Sequence, residues 1–182
     1  FLTKKIMPNV GVITNISYAH IKNFQNLKGI AKAKSEIINN ISQHGSIILN
    51  ADDNFFKFLK SKSIKKKLRI ISFGINKKSD VTLINIKSGK FNSVIYVENN
   101  EKKLKFIIKK QLESYIYNIL STLAVISVYF DLEKLDKLFF FDYKFPEGRG
   151  DLNIIKLKEK KINLIDESYN SNPLSLRFAI NK

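Results

Sequence analysis

Residues 12–38 read Val-Ile-Thr-Asn-Ile-Ser-Tyr-Ala-His-Ile-Lys-Asn-Phe-Gln-Asn-Leu-Lys-Gly-Ile-Ala-Lys-Ala-Lys-Ser-Glu-Ile-Ile. A short β-branched run ends at Asn15, a polar loop carries His20, and a helix is predicted over 27–40 from the apolar positions Leu27, Ile30, Ala31, Ile37 and Ile38. A strand end followed by a loop and a helix is where open α/β sheets hold their ligands. Lys32 and Lys34 stand among alanines on a helix otherwise patterned for packing.

Outward from this stretch, Gly11–Asn15 reads as a buried parallel strand, and Ser46–Leu49 as a second one running into Asn50-Ala51-Asp52-Asp53. Asp52 is expected to cap a helix over Asn54–Lys60. Leu68–Phe73, closed by Gly74, is a third strand. Strand, helix, strand, helix, strand is the logic of a doubly wound α/β sheet with right-handed crossovers.

Three further strands, Asp80–Lys87, Lys90–Val97 and Lys103–Ile108, read as an antiparallel meander, followed by helices over Ser114–Phe130 and Leu132–Phe139. Pro146-Glu147-Gly148-Arg149-Gly150 is the strongest breaker and sets an expected boundary between a domain over 1–147 and a second one beginning at 148–182. After it come strands Leu152–Lys158 and Ile162–Ile165, then Asp166–Pro173 leading into a helix. The chain opens on Phe1, meets a strand within ten residues, and reaches Lys182 as its last helix begins, so it is expected to be an internal fragment.

Composition bounds the function. A hydrophobic content of 44% supports a packed core. No apolar run approaches the roughly 18–20 residues of a membrane span, so no membrane insertion is expected. With no cysteine there is no disulfide framework and no thiolate chemistry, which is compatible with a cytoplasmic location. The net charge of +16 invites a nucleic-acid reading, but only three of the 32 basic residues are Arg (Arg69, Arg149, Arg177) and the lysines are scattered. Base readout favours Arg, so the charge reads as solvated surface, with no nucleic-acid partner.

No phosphate-cradling Gly-x4-Gly-Lys-Ser/Thr, no dinucleotide fingerprint and no Gly-x-Ser-x-Gly elbow is present. What remains are polar clusters at strand ends: Asn15 with His20, Asn50 with Asp52 and Asp53, and Asp166 with Glu167. From the residues alone this is an α/β chain with a site built on strand ends.

Several motifs carry a resemblance. Val-Ile-Thr-Asn-Ile…Ala-His…Phe-Gln-Asn-Leu-Lys-Gly-Ile-Ala-Lys-Ala-Lys-Ser-Glu-Ile, then Ile-Leu-Asn-Ala-Asp-Asp, Gly148-Arg149 and Leu-Ile-Asp-Glu-Ser-Tyr-Asn-Ser-Asn-Pro follow in an order that resembles the Mur ligases. The resemblance implies most of a P-loop-type central domain, lacking its phosphate loop, followed by the start of a Rossmann-like C-terminal domain. It implies an ATP- and Mg²⁺-dependent enzyme that activates a carboxylate as an acyl phosphate and couples it to an amine. The forms Ala-Lys-Ala-Lys-x-Glu-Ile and Asp-Glu-Ser-Tyr-Asn-x-Asn-Pro are most like the member joining D-alanyl-D-alanine to UDP-N-acetylmuramoyl-tripeptide, a cytoplasmic, monomeric step of peptidoglycan synthesis.

Residue by residue, the resemblance makes Lys34 the lysine that CO₂ converts to a carbamate, an oxygen ligand for Mg²⁺, with His20 beside the same metal. It makes Asn118 an adenine contact, although Ser114-Tyr115 replaces the usual His-Asn before it. Arg149 would reach nucleotide phosphates, Asp166 and Glu167 would lie by the ATP ribose, and Asn15, Tyr169, Asn170 and Asn172 would shape the substrate and closing interface. Without the family, Lys34 is an ordinary surface lysine, Asn118 a capping residue and Arg149 a linker charge. The rivals are another Mur or folylpolyglutamate-type ligase and a lysine-rich nucleic-acid-binding module. Because the phosphate loop would lie upstream, the chain alone is expected not to turn over substrate.

Overall fold

The computed structural model describes residues 5–18, 24, 26–146, 148, 151–158, 160–166, 169, 177 and 180, without the side chains of 151 and 152. Six strands form one sheet in the order β1 (Val10–Ile13), β2 (Ser46–Asn50), β3 (Arg69–Gly74), β4 (Val81–Ser88), β5 (Asn92–Asn99) and β6 (Lys102–Lys109). The first four run parallel, and β4, β5 and β6 form an antiparallel meander. The expected α/β architecture is present, with each strand within two residues of its predicted start.

The parallel strands are apolar at consecutive positions because both faces of the sheet are covered. In β2 the fully buried Ile47 and Leu49 pack with Ile38, Ile41 and Leu59, while the intervening Ile48 points to the opposite core of Phe73, Val81, Ile95, Leu120 and Leu123. The first face is covered by α2 (Glu36–Asn40), which follows α1 (Leu27–Lys34), and by α3 (Phe56–Lys65). The second is covered by α4 (Ile116–Ile126), entered through a 3₁₀ turn over Lys110–Tyr115.

The predicted helix 27–40 is two helices that meet at Ser35. Asn26 caps the first, its side chain accepting from the Gly29 N–H at 3.0 Å. Ser35 keeps helical backbone angles, but its hydroxyl donates to the Lys32 carbonyl at 2.7 Å, a local bond that bends helices. Ser35 is fully buried and accepts a hydrogen bond from Lys62 Nζ of α3 at 2.8 Å.

Two expectations fail for physical reasons. Asp52 does not cap the following helix, which starts later, at Phe56. Asp53 supplies the turn there, accepting from Phe55 N–H at 2.8 Å, while Asp52 Oδ2 accepts from the Ile75 and Asn76 amides at 2.6 and 3.1 Å. The second failure is the helix over Leu132–Phe139, of which only a 3₁₀ turn at Leu132–Lys134 exists. Asp136 accepts from the Leu138 N–H at 2.7 Å and the Lys137 carbonyl accepts from Ile107 N–H of β6 at 2.7 Å, so local turn bonds and the sheet take the backbone groups a helix would use. The helix expected over Ser114–Phe130 is likewise shorter, ending at Ile126.

Beyond residue 150, β7 (Asp151–Leu157) and β8 (Lys160–Asp166) pair antiparallel as a separate two-stranded sheet. Its Ile154, Leu157, Ile162 and Leu164 side chains are exposed.

Candidate functional site

The C-terminal ends of β1 and β2 carry a compact polar arrangement. Lys34, the last residue of α1, donates from Nζ to the Asn15 carbonyl at 2.8 Å. Asn50 donates from Nδ2 to the Thr14 carbonyl at 3.0 Å, and Asp53 Oδ2 accepts from the Ile16 N–H at 2.7 Å. The backbone leaving β1 is therefore held from three sides, and a cavity of about 240 Å³ opens between Val12, Ile13, Thr14, Lys34 and Ile37.

Burial lowers the pKa of the Lys34 ammonium from its usual value, opposed by the nearby Asp53 carboxylate. Lys32, on the other side of the helix, is exposed, as expected of a solvated charge. The arrangement gives Lys34 what a nucleophilic amine needs: a fixed position and easier loss of its proton. Unmodified it does not suit a metal, because an ammonium is itself a cation. Among the described residues no group of three or more His, Asp or Glu side chains could hold one.

A second cleft, of about 480 Å³, lies at the N-terminal end of α4. Tyr115, Phe139, Phe140 and Tyr143 line it together with Asn118, Thr122 and Asp142. Tyr115 and Tyr143 both pack against the Phe145 ring, the first tilted and the second edge-to-face, with ring centroids 5.0 and 5.4 Å away. Apolar walls with a few amide, hydroxyl and carboxylate groups suit a flat, partly polar ring.

Asp52 holds the start of α4 in place, accepting from the Tyr117 hydroxyl at 3.1 Å across 65 residues of sequence. Burial first, then this hydrogen bond and the Asp52 charge, push the Tyr117 pKa up to about 12 from 10.0. A raised pKa means the folded state keeps a proton that the unfolded state releases, so this contribution is complete below pH 10 and is lost as pH rises toward 12. Tyr117 is 36% exposed, and solvent screening reduces the contribution to about 1 kcal/mol. Denaturant titrations from pH 9 to 12 should show the native chain losing about that much more stability than Tyr117→Phe; parallel curves would refute the link.

Of the other sequence-predicted residues, Asp166 ends β8 opposite Asp151, half-buried, and Tyr169 is exposed, its N–H donating to the Gly148 carbonyl at 3.0 Å. His20, Arg149, Glu167, Asn170 and Asn172 lie outside the described residues. The structure thus joins Lys34 to Asn15 and places Asn118 in the aromatic cleft. Of the aromatic wall over 139–143, Phe139 ended a stretch read as helix and Phe140 and Tyr143 lay in the connection that follows it. The Asp52–Tyr117 bond left no local signal at all.

Comparison with known proteins adds four findings. The family model described as the Mur ligase middle domain matches residues 2–126. The UDP-N-acetylmuramoyl-tripeptide–D-alanyl-D-alanine ligase of Buchnera aphidicola subsp. Baizongia pistaciae is 29% identical over 181 residues, covering 99% of this chain and 38% of that protein. The crystal structure of MurF from Acinetobacter baumannii superposes with a TM-score of 0.81 at 26% identity, covering 98% of this chain and 38% of that one. MurF from Thermotoga maritima in complex with ADP shares the fold, with a TM-score of 0.74 at 20% identity over 97% of this chain and 39% of that one. The chain thus spans somewhat over a third of the length of these proteins.

Proposed function

We propose, from the premise that this chain belongs to the Mur ligase family, that it forms the core of an ATP-dependent ligase joining D-alanyl-D-alanine to UDP-N-acetylmuramoyl-tripeptide. The observation that carries this reading is Lys34 held on the Asn15 carbonyl at the strand ends, half-buried and eased toward its neutral form. The curated relative of that name matches nearly the whole chain, which favours this substrate pair over others in the family.

In this reading the Lys34 amine takes up CO₂. A carbamate replaces the cation by an anion with two oxygen donors, the ligand type that Mg²⁺ takes. His20 would serve the same ion. The aromatic cleft would receive the adenine of ATP, with Asn118 at its edge, and Arg149, Asp166 and Glu167 would serve the phosphates and ribose. Asn15, Tyr169, Asn170 and Asn172 shape the substrate side, and the second domain begins at residue 148. Bound ATP and Mg²⁺ supply the phosphoryl group and neutralise its charge as an acyl phosphate forms. The chain's own residues position the carboxylate and amine and keep water out. The enzyme acts in the cytoplasm as a monomer.

The test uses a longer protein that includes this chain. With ATP, UDP-N-acetylmuramoyl-tripeptide and D-alanyl-D-alanine it should release one phosphate per amide formed, while the purified 182-residue chain should release none. Coupling of a different amino substrate in place of the dipeptide would redirect the assignment within the family. Turnover by the 182-residue chain alone would overturn the view that it is an incomplete site.

A further inference from the structure

The end of the sheet opposite the Lys34 site has its own chemistry. Between Asn54 and Ser79 the sequence carries nine lysines and arginines and no acidic residue. Four of them, Lys65, Lys66, Lys67 and Arg69, are exposed where α3 ends and β3 begins, and among the described residues none is in an ion pair. Beside them stand Ile6, 71% exposed, and Met7, 63% exposed, the latter sharing with Lys66 a cavity of about 420 Å³.

This juxtaposition is held by the fold. Ser42 N–H donates to the Pro8 carbonyl at 3.0 Å and Ser42 Oγ to the Met7 carbonyl at 3.0 Å. Ser46 N–H reaches the Asn9 carbonyl at 2.9 Å, and Arg69 N–H reaches that of Gly45 at 3.0 Å. The segments preceding β1, β2 and β3 are thus tied into one edge. On the meander side Asp131 lines a cleft together with Arg69 and, like Glu133, is paired with Lys102.

We propose that this edge is a docking surface for an anionic phospholipid bilayer. Exposed cations beside exposed aliphatic side chains match a surface that offers phosphate groups above an apolar layer. A nucleic acid would use the charges but has no place for Ile6 and Met7, since its bases stack on aromatic rings. No helix among the described residues is long and apolar enough to cross a membrane, so contact would be peripheral. The five residues of β2 then hold the Lys34 site about 16 Å from the lipid, facing solution.

The test is co-sedimentation of a longer protein that includes this chain with vesicles of phosphatidylglycerol and phosphatidylcholine, against pure phosphatidylcholine. Binding should require the anionic lipid. Lys65→Gln, Lys66→Gln and Lys67→Gln together should lower partitioning on the order of a hundredfold. Ile6→Ser with Met7→Ser should lower it about tenfold at unchanged charge. Lys77→Gln, Lys78→Gln and Lys90→Gln remove the same charge from the opposite end and should leave it within about threefold, the residue of long-range attraction. Equal losses in the two lysine triples, no binding to anionic vesicles, or tighter binding to duplex DNA that ignores the Ile6 and Met7 changes would each overturn the proposal. The outcome is independent of which amide bond the enzyme makes.

Discussion

Lys34→Ala, made in a longer protein that includes this chain, is expected to cut kcat by at least 10²–10³-fold, the range for removing one preorganised electrostatic group. Lys34→Arg should be as damaging. It keeps the positive charge and the length, but a guanidinium stays protonated and forms no carbamate. If the lysine served only as a cation on the Asn15 carbonyl, arginine would retain much of the activity. A second readout is independent of turnover: with ¹³C-labelled bicarbonate, the native chain should show one carbamate carbon signal that Lys34→Ala lacks. That signal should grow as pH rises, because CO₂ reacts with the neutral amine and burial already biases Lys34 toward it. A native chain with no such signal, together with an active Lys34→Arg, would remove the carbamate from the mechanism.

The largest effect on stability is expected inside the second core. Leu120 of α4 is fully buried in the core that also holds Phe73, Val81 and Ile95, where the parallel strands and the meander meet. Leu120→Ala removes apolar surface and leaves a cavity that strands on a packed sheet cannot close, at a cost of about 2–5 kcal/mol. Leu138, 44% exposed on the turn that follows, is the matched control, and its replacement by Ala should change stability by about 0.5 kcal/mol or less. Guanidinium unfolding of the 182-residue chain measures both. A Leu120→Ala cost no larger than that of Leu138→Ala would mean that the two halves of the sheet do not share a core.

The parallel half of the fold was legible because its strands are short β-branched runs punctuated by Gly and Asp, and both faces of the sheet demand apolar side chains. The meander was legible from its turns. The segment 132–139 was not: its apolar spacing suits a helix, and only the bond from Ile107 to Lys137 shows that the sheet claims that backbone. Asp52 illustrates the same limit. An aspartate just before a helix is a capping signal, yet two amides of the β3–β4 loop and a tyrosine far along the chain compete for its carboxylate and win. For the site, Lys34 stood out as a charge on a packed helix, and the structure supplies the reason: α1 carries it to the strand end, where Asn15 accepts its hydrogen bond. The aromatic cleft around Asn118 draws on two regions of the chain, and no local pattern announces such a juxtaposition.

The kink at Ser35 sets how steadily that lysine can aim. The residue after Lys34 is pinned in the core, and the pin reaches across to α3 through Lys62, 27 positions further on. Lys62 also lies over the Phe58 ring at 5.1 Å, so its stem is braced as well as its tip. The pointing accuracy of the amine is therefore governed from behind, by a side chain that takes no part in the chemistry. Variation at position 62 would act like play in a bearing, broadening the range of Lys34 positions while the sheet and both cores stayed as they are.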